Sequence, residues 1–170
     1  MDENKKRIFE LKGNKEYKIK LILEEGIGLS CIEKEIIYNE DFITTAYQDT
    51  KGIWTIGAGH TDGVIEGQKI DIQTAIKLLR QDIEEAKKNC LKLFSKFERL
   101  SKIRQECLVE MAFNLGYNRL SKFKKTIHYI NMYEFVRAGL EILDSKWHRE
   151  DVGLRAVRIA KSFADDRRVY

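Results

Sequence analysis

The hydrophobic period of this chain changes abruptly near residue 40, and that change constrains the fold more than any other feature. Upstream, Leu29-Ser30-Cys31-Ile32-Glu33 reads as a helix start. Ser30 is placed to cap the free amides and Glu33 to reach back to them, a capping box. Ile32, Ile36 and Ile37 follow at helical spacing, so one face is apolar. The helix should run to about Glu40. Downstream, Asp49-Thr50-Lys51-Gly52 is a turn signal, with Asp at its start and Gly at its end. Ile53-Trp54-Thr55-Ile56 favours a strand, with Ala46 and Tyr47 on the partner strand. A helix must therefore hand over directly to a hairpin.

That handover gathers reactive groups. Glu40 falls near the C-terminal end of its helix, where the helix dipole disfavours negative charge, and Asp41 adds a like charge beside it. Both effects, and any burial, push Glu40 towards keeping its proton. Asp49 sits at a hairpin bend close to water and should stay ionised. One carboxyl that holds its proton and one that does not form an acid–base pair. The pair suits inverting glycoside hydrolysis, in which the acid protonates the leaving oxygen and the base activates water. Thr55, on the return strand, is a candidate to hold that water.

The segment Ala46–His60 (AYQDTKGIWTIGAGH) resembles the active-site region of the phage-type lysozymes and endolysins, glycoside hydrolase family 24. The family pattern is a Glu ending the first helix, then Tyr-x-Asp-x-x-Gly-x-x-Thr-Ile-Gly-x-Gly-His. This chain supplies Glu40, Tyr47, Asp49, Gly52, Thr55, Ile56, Gly57, Gly59 and His60 in register. The resemblance extends over about residues 30–164. It implies that Glu40 is the general acid, Asp49 the general base or charge stabiliser, and Thr55 the water-positioning hydroxyl. It further implies a His60–Asp82 pair, sugar contacts at Thr61 and Thr126, and a cleft lining at Phe113 and Asn114. Ser145-Lys146-Trp147 matches an element behind the cleft. Leu154–Arg158 resembles a C-terminal basic run that makes Arg155 the ionic partner of Glu40. Three departures stand out. Asp41 replaces the usual Gly after the acid, Glu110 and Glu141 fall where uncharged side chains are expected near the glycan, and the Pro before the C-terminal run is missing.

The expected fold is α+β and mostly α: a lysozyme-like two-lobe fold with a small hairpin lobe and a helical lobe joined by a long helix. Its parts are an N-terminal extension (1–29), the hairpin-bearing lobe with the catalytic residues (30–70), and a linking helix with the helical lobe (71–170). In the extension, Tyr17, Ile19, Leu21 and Leu23 alternate and predict a strand ending at Gly26-Ile27-Gly28. Residues 59–67 read as loop. Asp71 caps a long helix carrying Ala75, Leu78, Leu79, Ile83 and Ala86. Leu108, Met111, Ala112 and Leu115 mark a buried central helix, and further helices are expected over 123–132, 133–143 and 153–165.

Composition sets the remaining bounds. The 170 residues suffice for one good core or two small lobes sharing a helix, and 43% hydrophobic against 34% charged content fits a globular domain. No apolar run approaches the ~20 residues that span a bilayer. The basic start Met1–Arg7 is not followed by an apolar stretch, so no signal peptide is read. The expectation is a cytoplasmic protein of an infected or lysogenic bacterium, released to the wall by a phage holin, as the resemblance implies. Cys31, Cys90 and Cys107 lack metal-ligand spacing and read as small buried hydrophobes. No metal or organic cofactor is expected. Residues 1–70 hold ten Lys and Arg against thirteen Asp and Glu, a net −3. Residues 71–170 hold twenty-one against fourteen, a net +7. The basic half suits an anionic partner. Peptidoglycan glycan strands are the expected one; nucleic acid has only charge in its favour. The resemblance implies a monomeric muramidase cutting the β-1,4 bond between N-acetylmuramic acid and N-acetylglucosamine. The alternatives are a lytic transglycosylase, against which Asp49 and Thr55 argue, and a non-catalytic wall-binding or phage tail protein.

Overall fold

The computed structural model describes residues 15–169, with side chains from Lys18 onward. Residues 1–14, including the basic start and the first half of the expected extension, and the side chain of Tyr17 lie outside the described residues. The order is α1 (Lys15–Glu24), α2 (Cys31–Asn39), β1 (Ile43–Gln48), β2 (Trp54–Gly57) and α3 (Ile72–Leu93). There follow a 3-10 turn (Phe97–Arg99), α4 (Lys102–Leu120), α5 (Lys124–Asn131), α6 (Phe135–Leu143), a π-helical turn (Trp147–Val152) and α7 (Leu154–Asp165). The fold is α+β and mostly α, with one two-stranded antiparallel sheet. It divides into two compact units at Asp82/Ile83, within α3.

In the first unit, α2 begins as the sequence predicts. Ser30 Oγ accepts from the Glu33 N–H and the Glu33 carboxylate accepts from the Ser30 N–H, closing the capping box. Ile32, Ile36 and Ile37 are buried; each contributes about 1.5–3 kcal/mol relative to exposure. Arg80 on α3 donates to Glu33 at 2.6 Å and to the Gly28 carbonyl at 2.8 Å, so α3 holds both the α2 cap and the chain entering it. β1 and β2 pair Tyr47 with Thr55 and Gln48 with Trp54, with a bulge between Ile43 and Tyr47. The outer edge of β1 is also covered: the Ala46 N–H donates to the Gln68 carbonyl and the Ile70 N–H to the Thr44 carbonyl. Asp71 Oδ1 accepts from the Thr74 N–H at 2.7 Å, the expected cap of α3.

The expected strand over residues 16–23 is α1, a helix. Its burial has period four, not two: Lys18 and Ile22 are buried, whereas Leu23 is exposed. Alternation of Lys with Ile and Leu imitates a strand, but Lys, Glu and Leu are straight-chain helix formers and the segment packs on α2. Cys31 is exposed rather than buried; only Cys90 and Cys107 match the expectation. Burial pushes the Cys90 thiol up to about 12, so it behaves as an inert core group.

In the second unit, α6 packs against α5 and α7, and α7 also packs against α4. Gly139 of α6 sits so close to α7 that an added Cβ would lie 3.0 Å from the Ala160 carbonyl oxygen. α4 breaks at Gly116, whose φ of 68° and ψ of 169° interrupt the helix; glycine carries this conformation at little cost. The unit's largest buried side chains include Phe94, Leu108, Met111, Leu120 and Phe163. No described helix is long and apolar enough to cross a membrane.

Candidate active site

Glu40 is the C-cap residue of α2. Its N–H donates to the Ile36 carbonyl at 2.8 Å while its own backbone is extended, φ −101° and ψ 159°. The last helical hydrogen bond thus ends at the residue where the chain turns towards β1, so Glu40 is set by the rigid end of a helix.

Asp49 opens the hairpin turn. Its Oδ1 accepts from the Lys51 and Ile53 N–H groups, both at 2.8 Å. Its N–H donates to the Ile53 carbonyl, and its carbonyl accepts from Gly52, whose φ is +76°. The side chain therefore builds the turn it sits in. One carboxylate oxygen is engaged by two amides, and Oδ2 has no partner among the described residues. Thr55, buried opposite Tyr47, donates its hydroxyl proton to the Ile53 carbonyl at 3.0 Å. The Thr55 oxygen is thereby left presenting lone pairs, an acceptor for an incoming O–H.

Tyr47 ties these groups together. Its phenol is pushed above the usual value by burial first, then by the negative charges of Asp41, Glu40 and Asp49. Tyr47 is half-buried, and its phenol is the group on which all three of these charges act.

His60 closes a tight turn: its N–H and carbonyl exchange hydrogen bonds with Ile56. Its Nδ1 lies 3.0 and 2.9 Å from the two Asp82 carboxylate oxygens, and its Nε2 lies 3.0 Å from the Asp62 carbonyl. Both ring nitrogens face acceptors within the fold, the arrangement of a strut that ties β2 to α3. Burial pushes the Asp82 carboxyl up, against the lowering effect of His60. Thr61, next in the chain, is exposed.

The other sequence-selected residues fall in the second unit. Asn114 Oδ1 accepts from the Trp147 indole N–H at 2.8 Å, which orients the Asn114 amide NH2 as a donor. Trp147 is buried and meets Phe123 edge to face. Phe113 is half-buried. Thr126 is buried at the wall of an open groove of about 720 Å³, whose lining also includes Phe123, Glu141, Lys125 and Trp147. Glu141 there is paired with Lys125 at 3.7 Å.

Arg155 donates from Nε to Glu110 at 3.1 Å, and Arg158 donates to the same oxygen at 2.5 Å. Glu110 is thus a buried ionic centre for α7, not a charge facing substrate as its position in the sequence suggested. The sequence assigned no role to Lys18 or Arg80, and placed Arg158 in the C-terminal basic run without a partner. A basic residue one helical turn from a buried apolar one was the available signal for Lys18 and Ile22.

Comparison with known proteins places this geometry in context. Residues 38–158 match the family model described as phage lysozyme. A probable T4-type lysozyme 2 from Dictyostelium discoideum is 28% identical over 152 residues, covering 72% of this chain and 87% of that protein. A probable T4-type lysozyme 1 from the same organism is 24% identical over 148 residues, with the same coverage.

Proposed function

Because the chain belongs to the phage lysozyme family, we propose that it is a peptidoglycan hydrolase, a muramidase that cleaves the β-1,4 bond from N-acetylmuramic acid to N-acetylglucosamine. The observation that carries this reading is the hairpin beside the α2 terminus. Asp49 is pinned through one oxygen, Thr55 has its proton already donated, and Glu40 is fixed at the C-cap of α2, where the chain turns into β1. In the proposed reaction Glu40 gives its proton to the glycosidic oxygen. A water donates one hydrogen to Asp49 Oδ2 and the other to Thr55 Oγ1, which leaves its lone pair aimed at the anomeric carbon. As the bond to the leaving sugar breaks, the water oxygen bonds to that carbon and its proton passes to Asp49. Rigid placement counts because oriented groups remove much of the entropic barrier.

Thr61, Phe113, Asn114 and Thr126 are the proposed substrate contacts. The Asn114 NH2 suits an acetamido or peptide carbonyl. His60 and Asp82 support the hairpin rather than touch sugar, and Arg155 supports through its buried pair with Glu110. The proposed setting is lysis of a bacterial host by a phage or prophage, with access to the wall through a holin.

The test is digestion of purified peptidoglycan followed by mass spectrometry of the fragment ends. Reducing muramic ends are expected. Anhydro-muramic ends would instead assign a lytic transglycosylase, and an absence of fragments would assign a binding or structural role.

A further inference from the structure

α1 precedes the segment matched by the family model, yet it reaches the immediate neighbour of the acid. Lys18 of α1 is buried, its side chain 4% exposed, and its Nζ lies 3.8 Å from Oδ1 of Asp41, which is 51% exposed. Asp41 directly follows Glu40 and stands where the family resemblance leads one to expect Gly. A buried ammonium is strongly unfavourable unless opposing charge faces it. Here its place is fixed by packing: Ile22, one turn along the same face of α1, is buried, and α1 packs on α2, whose C-cap is Glu40.

The charged groups around this point are unequal in sign. Glu40 and Asp41 lie at the α2 terminus and Asp49 in the hairpin, and the negative charge of each raises the Tyr47 phenol after burial does. Glu33 of α2 is already engaged by Arg80. An ionised Asp41 beside Glu40 makes the potential there more negative, and Lys18 offsets it.

We propose that Lys18 is a positioning residue for the hydrolysis: its buried ammonium, delivered by α1, anchors Asp41 and balances its charge, so that Glu40 keeps its orientation and releases its proton in the working pH range. The inference rests on the reading of Glu40 as the general acid. It gives the segment before the matched region a task in the reaction.

The experiment compares pH profiles of kcat/KM on peptidoglycan for wild type, Lys18→Met, Asp41→Asn and the double variant, with Glu40→Gln as control. The alkaline limb reports loss of the acid's proton. Lys18→Met removes a positive charge, so the limb should move up by about half a pH unit or more; Asp41→Asn should move it down by a similar amount. The double variant should return close to wild type. Should Lys18→Met fail to fold, the exposed Asp41→Asn substitution still reads the balance. Limbs that coincide with wild type beside an inactive Glu40→Gln would overturn this inference alone. A Glu40→Gln variant as active as wild type would overturn the reading of the site, and this inference with it.

Discussion

Glu110 offers the sharpest stability prediction. Its side chain is 4% exposed and accepts from Arg155, itself 8% exposed, and from Arg158, 18% exposed. Glu110→Ala leaves the Arg155 guanidinium in its buried place without this counter-charge. Breaking such a pair from one side costs about 3–5 kcal/mol. Arg158 is nearer to solvent and can turn towards water, so most of the loss is carried by Arg155. Domains are stable by only about 5–15 kcal/mol, so the variant should lose about a fifth or more of its margin. Glu110→Gln keeps an oxygen acceptor and removes only the charge; it should lose about half as much. The assay is urea unfolding followed by circular dichroism, with the slope checked for constancy so that the midpoint reports stability. The loss should hardly change between low and high salt, because a buried pair is weakly screened. A loss below about 1 kcal/mol for Glu110→Ala, or one abolished by salt, would refute the assignment of Glu110 as a buried ionic centre.

Three further outcomes follow from the same geometry. Gly139→Ala gains about 1 kcal/mol of helix propensity but drives a Cβ against the Ala160 backbone oxygen, which cannot swing aside, at a cost of about 1–3 kcal/mol. A net fall in melting temperature is expected, and a rise would show that α6 and α7 separate freely. Burial alone raises the Glu33 pKa, but the hydrogen bonds from Arg80 and Ser30 outweigh it and hold it below its usual 4.5. Its contribution is therefore present above pH 4.5 and lost as pH falls through the lowered folded value. Glu33→Gln should flatten the acid limb of a stability–pH curve, and an unchanged limb would contradict the pair. Spectrophotometric titration, read as wild type minus Tyr47→Phe, should show Tyr47 ionising above 10.0, and Asp41→Asn should bring that value down. A Tyr47 that titrates identically in both backgrounds would remove Asp41 from its neighbourhood.

What the sequence discloses here follows the range of each interaction. The Ser30–Glu33 capping box, the Asp49 turn and the Asp71 cap span three or four residues, so local patterns report them directly. The His60–Asp82 hydrogen bond spans twenty-two positions and was accessible only through a resemblance. α1 was misread because Lys18 is buried: a charged side chain on a core face breaks the apolar stripe that marks a helix, and the remaining Ile and Leu alternate. Glu110 was misread for a related reason. Its partners lie forty-five and forty-eight residues downstream, and nothing in its neighbours shows whether a helix carboxylate meets solvent or arginine. Cys31 illustrates the converse, a small apolar side chain at the first turn of α2 that faces outward.

In the proposed reaction Glu40 transfers the proton that frees the leaving sugar. Hydrolysis of purified peptidoglycan by Glu40→Gln tests it most directly, with circular dichroism and melting temperature recorded on the same sample. Glutamine keeps the size of the side chain and cannot act as a general acid. A loss of about 100-fold or more in rate, with fold and melting temperature unchanged, is the predicted result. Hydrolysis near the wild-type rate by a folded Glu40→Gln protein would contradict the account.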